Sequence, residues 1–258
     1  MNPMIGSLSI GKKLIPKHYG FEMKISRKYN SPNFEVRKGN LFPNKVIIHY
    51  TGMKNTKSAF QRLCSQQSKV SSHYLINRDG KIWQLVDEEM SSWHAGESSW
   101  LNEKNLNDSS IGVELCNPGH EFGYKNFSEK QMLSLEWLLK RIMDKYKITP
   151  ESILGHSDVS PARKKDPGER FKWERLAKKG LSIWPTEIEE LPKVYDKQAL
   201  IYKSLESIGY DVKNHVEESI IAFKRHFIPF ALESFLLEGE LKILTSVANY
   251  YNKIRRIS

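Results

Sequence analysis

Short apolar runs separated by polar turns predict a succession of strands and helices over residues 41–185. The run at 45–50 is apolar up to a polar end, as in a buried strand whose last residues carry function. The runs at 72–78 and 81–86 flank Asp79-Gly80, a pair typical of a β-hairpin. The other predicted elements are strands at 110–116 and 153–154 and helices at 58–68 and 128–146.

This alternation of strands and helices predicts an α/β domain, with a mixed central sheet flanked by helices on both faces. The long helix opens at Ser128 and has Gln131 at the capping-box position, so we expect the two side chains to cap its first turn.

The composition changes after Trp184-Pro185, where an acidic stretch leads into three helical patterns at 197–208, 216–226 and 238–256. Gly209 is the predicted stop of the first of these helices. We therefore expect a small three-helix domain after the α/β domain. The predicted units are a basic N-terminal extension (1–40), the α/β domain (41–185), a linker (186–194) and the three-helix domain (195–258).

Composition excludes several classes of protein. Hydrophobic residues make up 39% and aromatic residues 11% of the 258 residues, which is too much for a disordered chain. The longest apolar stretch, 227–237, is interrupted by Pro229 and Glu233 and falls short of the roughly 18 to 20 residues that a membrane span needs. Residues 1–11 show no basic segment followed by an apolar run, so we expect no secretion signal.

The net charge of +10 comes from one part of the chain. Residues 186–258 hold ten basic and eleven acidic side chains, which leaves thirty and nineteen in residues 1–185. Residues 1–45 form a basic arm with nine Lys or Arg against Glu22 and Glu35, which fits either a solvated extension or attraction to an anionic surface. Nucleic-acid binding has no support beyond charge, and we expect none.

Three dispersed side chains could form a metal site. His49 ends the first strand, and His156 and Asp166 bracket a turn-rich loop. Two imidazoles and one carboxylate with a fourth position open make a catalytic zinc set, whereas a structural zinc site is closed by four protein ligands. Taken alone, the three residues also fit core histidines and a turn aspartate.

Two further residues could assist a metal-bound water. Glu114 lies in an apolar strand, where a carboxylate is costly unless a charge faces it. Lys164 lies two residues before Asp166, a spacing that puts both on one side of an extended segment. A general base and an oxyanion-stabilising cation are the groups that such hydrolysis needs. By pattern alone, Glu114 also fits an edge-strand surface residue and Lys164 a solvated loop charge.

Seven ordered motifs resemble the type 2 N-acetylmuramoyl-L-alanine amidases, a zinc enzyme family related to peptidoglycan-recognition proteins. The motifs are VIIHYT (46–51), VSSHYLI (70–76), WHAG (93–96), SIGVEL (110–115), GHSD (155–158), RKKDPG (163–168) and FKWERL (171–176).

The resemblance implies a role for each candidate residue. His49, His156 and Asp166 would be zinc ligands, with Glu114 as the general base and Lys164 as the group that stabilises the tetrahedral intermediate. Trp93, His94 and Asn117 would contact substrate in the groove, although a buried tryptophan beside a core histidine is the alternative for the first two.

The sequence departs from the family at two positions. Ala162 stands where glycine is common, and Ser72 stands where some relatives carry a catalytic tyrosine. Glu114 would therefore act without such a tyrosine.

The C-terminal helices resemble the three-helix peptidoglycan-binding module through residues 205–210 and 222–226, with departures at Ile208 and Lys224. A helical appendage that packs on the catalytic domain, or that forms dimers, is the alternative.

The expected function is zinc-dependent hydrolysis of the amide between N-acetylmuramic acid and L-alanine in peptidoglycan or muropeptides. The alternative is a non-catalytic peptidoglycan-recognition protein, although the complete ligand set argues against it. The wall-binding resemblance favours the cell envelope, whereas the missing signal favours the cytoplasm. The oligomeric state is left open.

Overall fold

The computed structural model describes residues 23–40, 42–213 and 215–255, and all elements below lie within these ranges. The strands are β1 (Ile25–Ser26), β2 (Phe34–Val36), β3 (Lys45–Tyr50), β4 (Tyr74–Ile76), β5 (Ile82–Gln84), β6 (Met90–Ser92), β7 (Ser99–Trp100), β8 (Glu103–Lys104), β9 (Ser110–Leu115) and β10 (Ile153–Gly155). The α-helices are α1 (Thr56–Leu63), α2 (Glu129–Tyr146), α3 (His156–Val159), α4 (Trp173–Ala177), α5 (Lys197–Ile208), α6 (Val216–Phe227) and α7 (Glu238–Arg255).

Six strands form the central sheet in the order β1-β5-β4-β9-β3-β10. Strand β3 pairs in parallel with β9 and β10, whereas β4 and β5 form an antiparallel hairpin. The sheet is therefore mixed, as the sequence predicts. Strands β2 and β6, and β7 and β8, form separate two-stranded ladders.

Helices cover both faces of the sheet. Alternate residues of β3 point to opposite faces, so Val46 and Ile48 pack with α2, whereas Ile47 packs with helices α5 to α7. Leu75 of β4 points to the same face as Ile47 and packs with α1. This arrangement confirms the predicted α/β class and leaves α1 and the C-terminal helices side by side on one face.

The N-terminal end of α2 confirms one half of the capping prediction and contradicts the other half. Ser128 caps the helix and accepts a hydrogen bond from the Gln131 backbone N–H at 3.2 Å. The Gln131 side chain does not reach back to Ser128. Its amide donates instead to the carbonyls of Ile76 and Cys116, at 3.1 and 3.2 Å. Buried carbonyls at strand ends need donors, and this need decides the orientation of Gln131.

Residues 1–22 of the predicted basic extension lie outside the described residues, while 23–40 contain the two short strands β1 and β2. Strand β1 pairs with β5 and β2 pairs with β6. Arg37 is buried, and its guanidinium donates to the backbone carbonyls of Glu88, Asn107, Asp108 and Ser110. The last residues of the predicted basic arm are therefore an integral part of the fold.

The C-terminal helices share a hydrophobic core with the sheet. Leu205, Phe223 and Leu244 pack in one cluster with Ile47 and Leu154. Gly209 has a φ of +139°, and a Cβ there would lie 2.6 Å from the Trp100 ring, so both its conformation and its contact require glycine. Domain boundaries at 40, 185 and 194 stay predictions. Among the described helices, none has the length and apolar character needed to span a membrane.

Candidate metal centre and catalytic cleft

The topology brings the two predicted histidine ligands together. His49 lies near the end of β3, directly opposite Glu114 of β9 in the parallel register. His156 is the first residue of α3, immediately after β10, and β10 is the other neighbour of β3. The Ser157 backbone N–H donates to the Asp166 carbonyl at 2.8 Å, which holds the loop of the third ligand against α3.

The three side chains converge on one point. His49 Nδ1 lies 2.9 Å from His156 Nδ1, and Asp166 Oδ2 lies 3.0 Å from each of these nitrogens. All three residues are buried. The separations are shorter than twice a zinc–nitrogen bond of about 2.0 to 2.1 Å, so a single ion can contact all three atoms.

The tautomer of His156 follows from its other nitrogen. Nε2 lies 3.0 Å from the Ala95 carbonyl oxygen, which can only accept a hydrogen bond. We therefore assign the proton to Nε2, which leaves a lone pair on Nδ1. A second hydrogen bond of this kind is the usual way in which a protein orients a metal-binding histidine.

A longer chain of hydrogen bonds sets the tautomer of His49. Ser110 Oγ donates to the Leu106 carbonyl at 2.5 Å, so it accepts from His94 Nε2 at 3.2 Å. His94 Nδ1 is then the acceptor for His49 Nε2, which lies 3.0 Å away. The Nδ1 atom of His49 is left with its lone pair facing Asp166 and His156.

The electrostatics agree with this proton assignment. Burial, and then the neighbouring His156, lower the pKa of His49 to about 4. Burial also lowers the pKa of His94 well below its ordinary value. Two imidazole nitrogens and one carboxylate oxygen converge at this point, and a divalent cation satisfies all three.

Glu114 lies beside this centre and lines the cleft that opens onto it. Its Oε2 atom is buried and makes no hydrogen bond. Burial, and then the charge of Asp166, raise the pKa of Glu114 to about 8. A carboxyl with a buried oxygen and a raised pKa, next to a candidate metal site, is the kind of group that serves as a general base.

A cleft of about 490 Å³ opens onto these groups. Lys164 lines it and is half-buried. Arg62, Arg163 and Lys165 also line the cleft. The lining is therefore rich in cations, which suits a substrate that carries carboxylates.

The three predicted groove residues have different environments. Trp93 is half-buried and lines the cleft. His94 also borders the cleft, but both its ring nitrogens belong to the chain between His49 and Ser110. Asn117 is buried and lies outside the cleft lining, and its amide donates to the Lys125 carbonyl at 2.7 Å. A substrate contact by any of the three stays a prediction.

Sequence reasoning missed a polar chain at the cleft rim. Tyr50 Oη lies 2.8 Å from His120 Nδ1, and His120 Nε2 lies 3.1 Å from Glu169 Oε2. Ser110 was also missed. A serine in a buried strand gives no sign that its hydroxyl orients His94, which in turn hydrogen-bonds to His49. The only signal for Tyr50 and His120 was their proximity along the chain to His49 and Glu114.

Comparisons with known proteins agree with this site. The Amidase_2 family, described as N-acetylmuramoyl-L-alanine amidase, matches residues 39–169. The N-acetylmuramoyl-L-alanine amidase AmiD of Escherichia coli K12 is 34% identical over 245 residues, covering 85% of this chain and 84% of that protein. The 1,6-anhydro-N-acetylmuramyl-L-alanine amidase AmpD of Haemophilus influenzae is 35% identical over 167 residues, covering 58% and 89%.

Solved structures extend the similarity to the fold. E. coli AmiD, in complex with the substrate anhydro-N-acetylmuramic acid-L-Ala-D-γ-Glu-L-Lys, matches with a TM-score of 0.70 and 31% identity, covering 88% of this chain and 93% of that one. AmpDh3 of Pseudomonas aeruginosa, in complex with anhydromuramic pentapeptide, matches with a TM-score of 0.72 and 26% identity, covering 81% and 92%.

The fold and the site define an amidase built on a mixed sheet with a buried His-His-Asp group. The chain belongs to the N-acetylmuramoyl-L-alanine amidase family, which confirms the family expected from the seven motifs.

Proposed function

We propose that this protein is a zinc-dependent hydrolase that cleaves the amide between N-acetylmuramic acid and L-alanine in peptidoglycan or muropeptides. The observation that carries the proposal is the convergence of His49, His156 and Asp166 through atoms 2.9 to 3.0 Å apart, with Glu114 directly opposite His49 in the sheet.

The donor set fits zinc. Two neutral imidazole nitrogens and one carboxylate oxygen are the ligands of catalytic zinc sites, which keep a further position for water or substrate. When bound, zinc supplies Lewis acidity for the scissile carbonyl, a pKa near 7 for the water that it holds, and positive charge that lowers the pKa of nearby acids.

The chain's own residues would supply the remaining chemistry. Glu114 accepts a proton from the attacking water and returns it to the leaving amine of L-alanine. The parallel register with His49 supports this role, because it puts Glu114 on the face of the sheet that carries His49, and Glu114 lines the cleft. Lys164 stabilises the oxyanion that develops on the carbonyl oxygen, and an ammonium in a half-buried position does this more strongly than one in water.

The cleft supports a carboxylate-bearing substrate. Four cationic side chains line it, namely Arg62, Arg163, Lys164 and Lys165. Stem peptides carry free carboxylates, and the two related structures hold anhydromuramic peptides. We propose that the stem peptide lies along this cationic lining, with Trp93 contacting sugar or peptide at the edge.

Incubation with purified sacculi, and separately with an anhydro-muropeptide, tests the function. We expect free peptides that begin with L-alanine, detected by mass spectrometry, and we expect a chelator to abolish their release and zinc to restore it. The matched control is Glu114→Gln, which keeps the shape of the side chain and should lower turnover by about 100-fold or more. Binding of sacculi without peptide release would instead identify a recognition protein.

We keep an envelope location as a proposal on the wall-binding resemblance alone. Fractionation of cells that express the native gene tests it, and recovery with the cytoplasmic fraction would contradict it.

A further inference from the structure

Asp158 is a buried carboxylate that the proposed reaction does not use. It lies two residues after His156 in α3 and is 1% exposed. Its Oδ2 accepts a hydrogen bond from the Gly155 backbone N–H at 2.7 Å, at the junction where β10 ends and α3 begins. Asp158 therefore holds the backbone on which the His156 imidazole is mounted.

The other partners of Asp158 come from the C-terminal helices. Tyr210 Oη donates to Asp158 Oδ1 at 3.0 Å, and His226 Nδ1 lies 2.9 Å from Asp158 Oδ2. Both side chains are buried. A buried carboxylate needs such donors, because a missing partner costs the full desolvation of the charge.

The His226 ring is fixed by stacking as well as by its hydrogen bond. It lies parallel to the Trp173 ring with centroids 3.8 Å apart, and parallel to Phe227 at 4.1 Å. Trp173 begins α4, just after the loop that carries Lys164 and Asp166. His226 of helix α6 therefore contacts the 155–173 segment near its start, at Asp158, and at its end, at Trp173.

These residues are those on which the wall-binding resemblance rests. Tyr210 ends the motif at 205–210 and His226 ends the motif at 222–226. In the fold both side chains are buried and contact Asp158. Their polar groups are therefore engaged inside the protein and are not presented on an open surface.

We propose that Tyr210 and His226 are positioning residues for the metal centre, acting through Asp158 on the backbone of His156. The inference rests on the proposed function, because it concerns the same metal site. The C-terminal helices then contribute to metal affinity and to the geometry of the ligands, although none of their described side chains hydrogen-bonds to His49, His156 or Asp166.

The test compares Tyr210→Phe, His226→Phe and the double variant with Tyr251→Phe. Tyr210→Phe keeps the ring and removes only the hydroxyl that contacts Asp158, whereas His226→Phe replaces the imidazole with a flat ring that has no polar atom. Tyr251 is the matched control, because it is a buried tyrosine of α7 whose hydroxyl donates to the Glu151 carbonyl at 3.3 Å and makes no hydrogen bond to Asp158. His226 Nε2 is buried without a partner, so a phenylalanine there also removes one unsatisfied polar atom.

Two measurements report on the metal centre independently of turnover. The first is zinc affinity, measured by competition with a chromophoric chelator well below the unfolding temperature. The second is the visible absorption spectrum of the cobalt-substituted protein, which depends on the arrangement of the ligands. We expect about a tenfold loss of zinc affinity in each single variant, a larger loss in the double variant, and a changed cobalt spectrum. Tyr251→Phe should match the wild type in both.

Unchanged affinity and an unchanged cobalt spectrum in folded Tyr210→Phe and His226→Phe would overturn the inference. Equal losses in Tyr251→Phe would also overturn it, since the effect would then follow from general loosening of the helices. If the double variant does not fold, the single variants decide the result. A wild-type protein that binds zinc but releases no peptide would refute the proposed function and leave the metal measurements as the test of positioning.

Discussion

His94 is a bridge between His49 and Ser110. Its Nδ1 lies 3.0 Å from His49 Nε2, and its Nε2 lies 3.2 Å from Ser110 Oγ. The Ser110 hydroxyl donates to the Leu106 carbonyl, so one backbone oxygen determines which nitrogen of His49 faces Asp166 and His156. This chain gives His94 a structural reason to be histidine that is separate from any contact with substrate.

Replacing His94 should therefore weaken metal binding. We expect His94→Ala to lower zinc affinity by about 10- to 100-fold, because the orientation and the tautomer of His49 are no longer fixed. Chelator competition measures this loss. The adjacent variant Trp93→Ala should instead raise KM and leave zinc affinity unchanged. The opposite pattern, with unchanged affinity in His94→Ala and a raised KM, would make His94 a groove residue.

Gly112 offers a way to disturb His94 without changing any polar group. A Cβ at Gly112 would lie 2.5 Å from His94 Cγ, so Gly112→Ala must push the ring away. Such overpacking typically costs about 1 to 3 kcal/mol, and here it also breaks the chain to His49. We expect lower thermal stability together with weaker zinc binding. A variant that binds zinc as tightly as the wild type would show that the position of His94 does not matter.

Glu114 should give the metal-free protein a characteristic pH dependence. Its pKa rises from 4.5 to about 8 on folding, so the folded state holds this proton more tightly than the unfolded chain does. The protonated carboxyl is tolerated below pH 4.5, and stability is lost as the pH rises from 4.5 to 8.

Glu114→Gln cannot titrate and should escape this loss. We expect it to exceed the wild type in stability by about 1 to 3 kcal/mol at pH 8, in the presence of a chelator, with a smaller difference at pH 5. Urea denaturation at several pH values measures the difference. A gap that stays constant with pH would show that Glu114 is not buried as a neutral acid.

Lys164 and Lys165 form a matched pair, because both line the cleft and differ by one position. We expect Lys164→Ala to lower kcat by about 100-fold through loss of oxyanion stabilisation. Lys165→Ala should change kcat only slightly, since its exposed charge acts through solvent. Steady-state kinetics on an anhydro-muropeptide separates the two, and equal losses would assign both residues to general attraction of the substrate.

The sequence predicts most elements of this fold because their patterns are local. Strand β3 was expected at 45–50 and α5 at 197–208, and both have these bounds. Helix α1 was expected at 58–68, but it begins at Thr56, where Asn55 caps it, and ends at Leu63. Strands β1 and β2 were not expected, because two or three residues that pair with distant strands leave no periodic signal.

In the candidate site, too, some residues could be predicted from local sequence and others depend on distant contacts. His49, His156 and Asp166 were found from residue type and from the seven motifs, and the structure brings them together. The roles of Ser110 and Asp158 could not be found in this way. The role of Ser110 depends on the register of β3 and β9, which brings its hydroxyl into hydrogen-bond contact with His94. The role of Asp158 depends on the packing of α6, which brings His226 to its carboxylate.

The core shared by the sheet and the C-terminal helices has a thermodynamic consequence. Ile47 and Leu154 are covered by α5 to α7, so neither part can melt without exposing the apolar surface of the other. We expect one calorimetric endotherm for the whole chain, and aggregation of a fragment truncated at Pro185. The three helices would then belong to the same cooperative folding unit as the sheet, and they could not be replaced by another targeting domain.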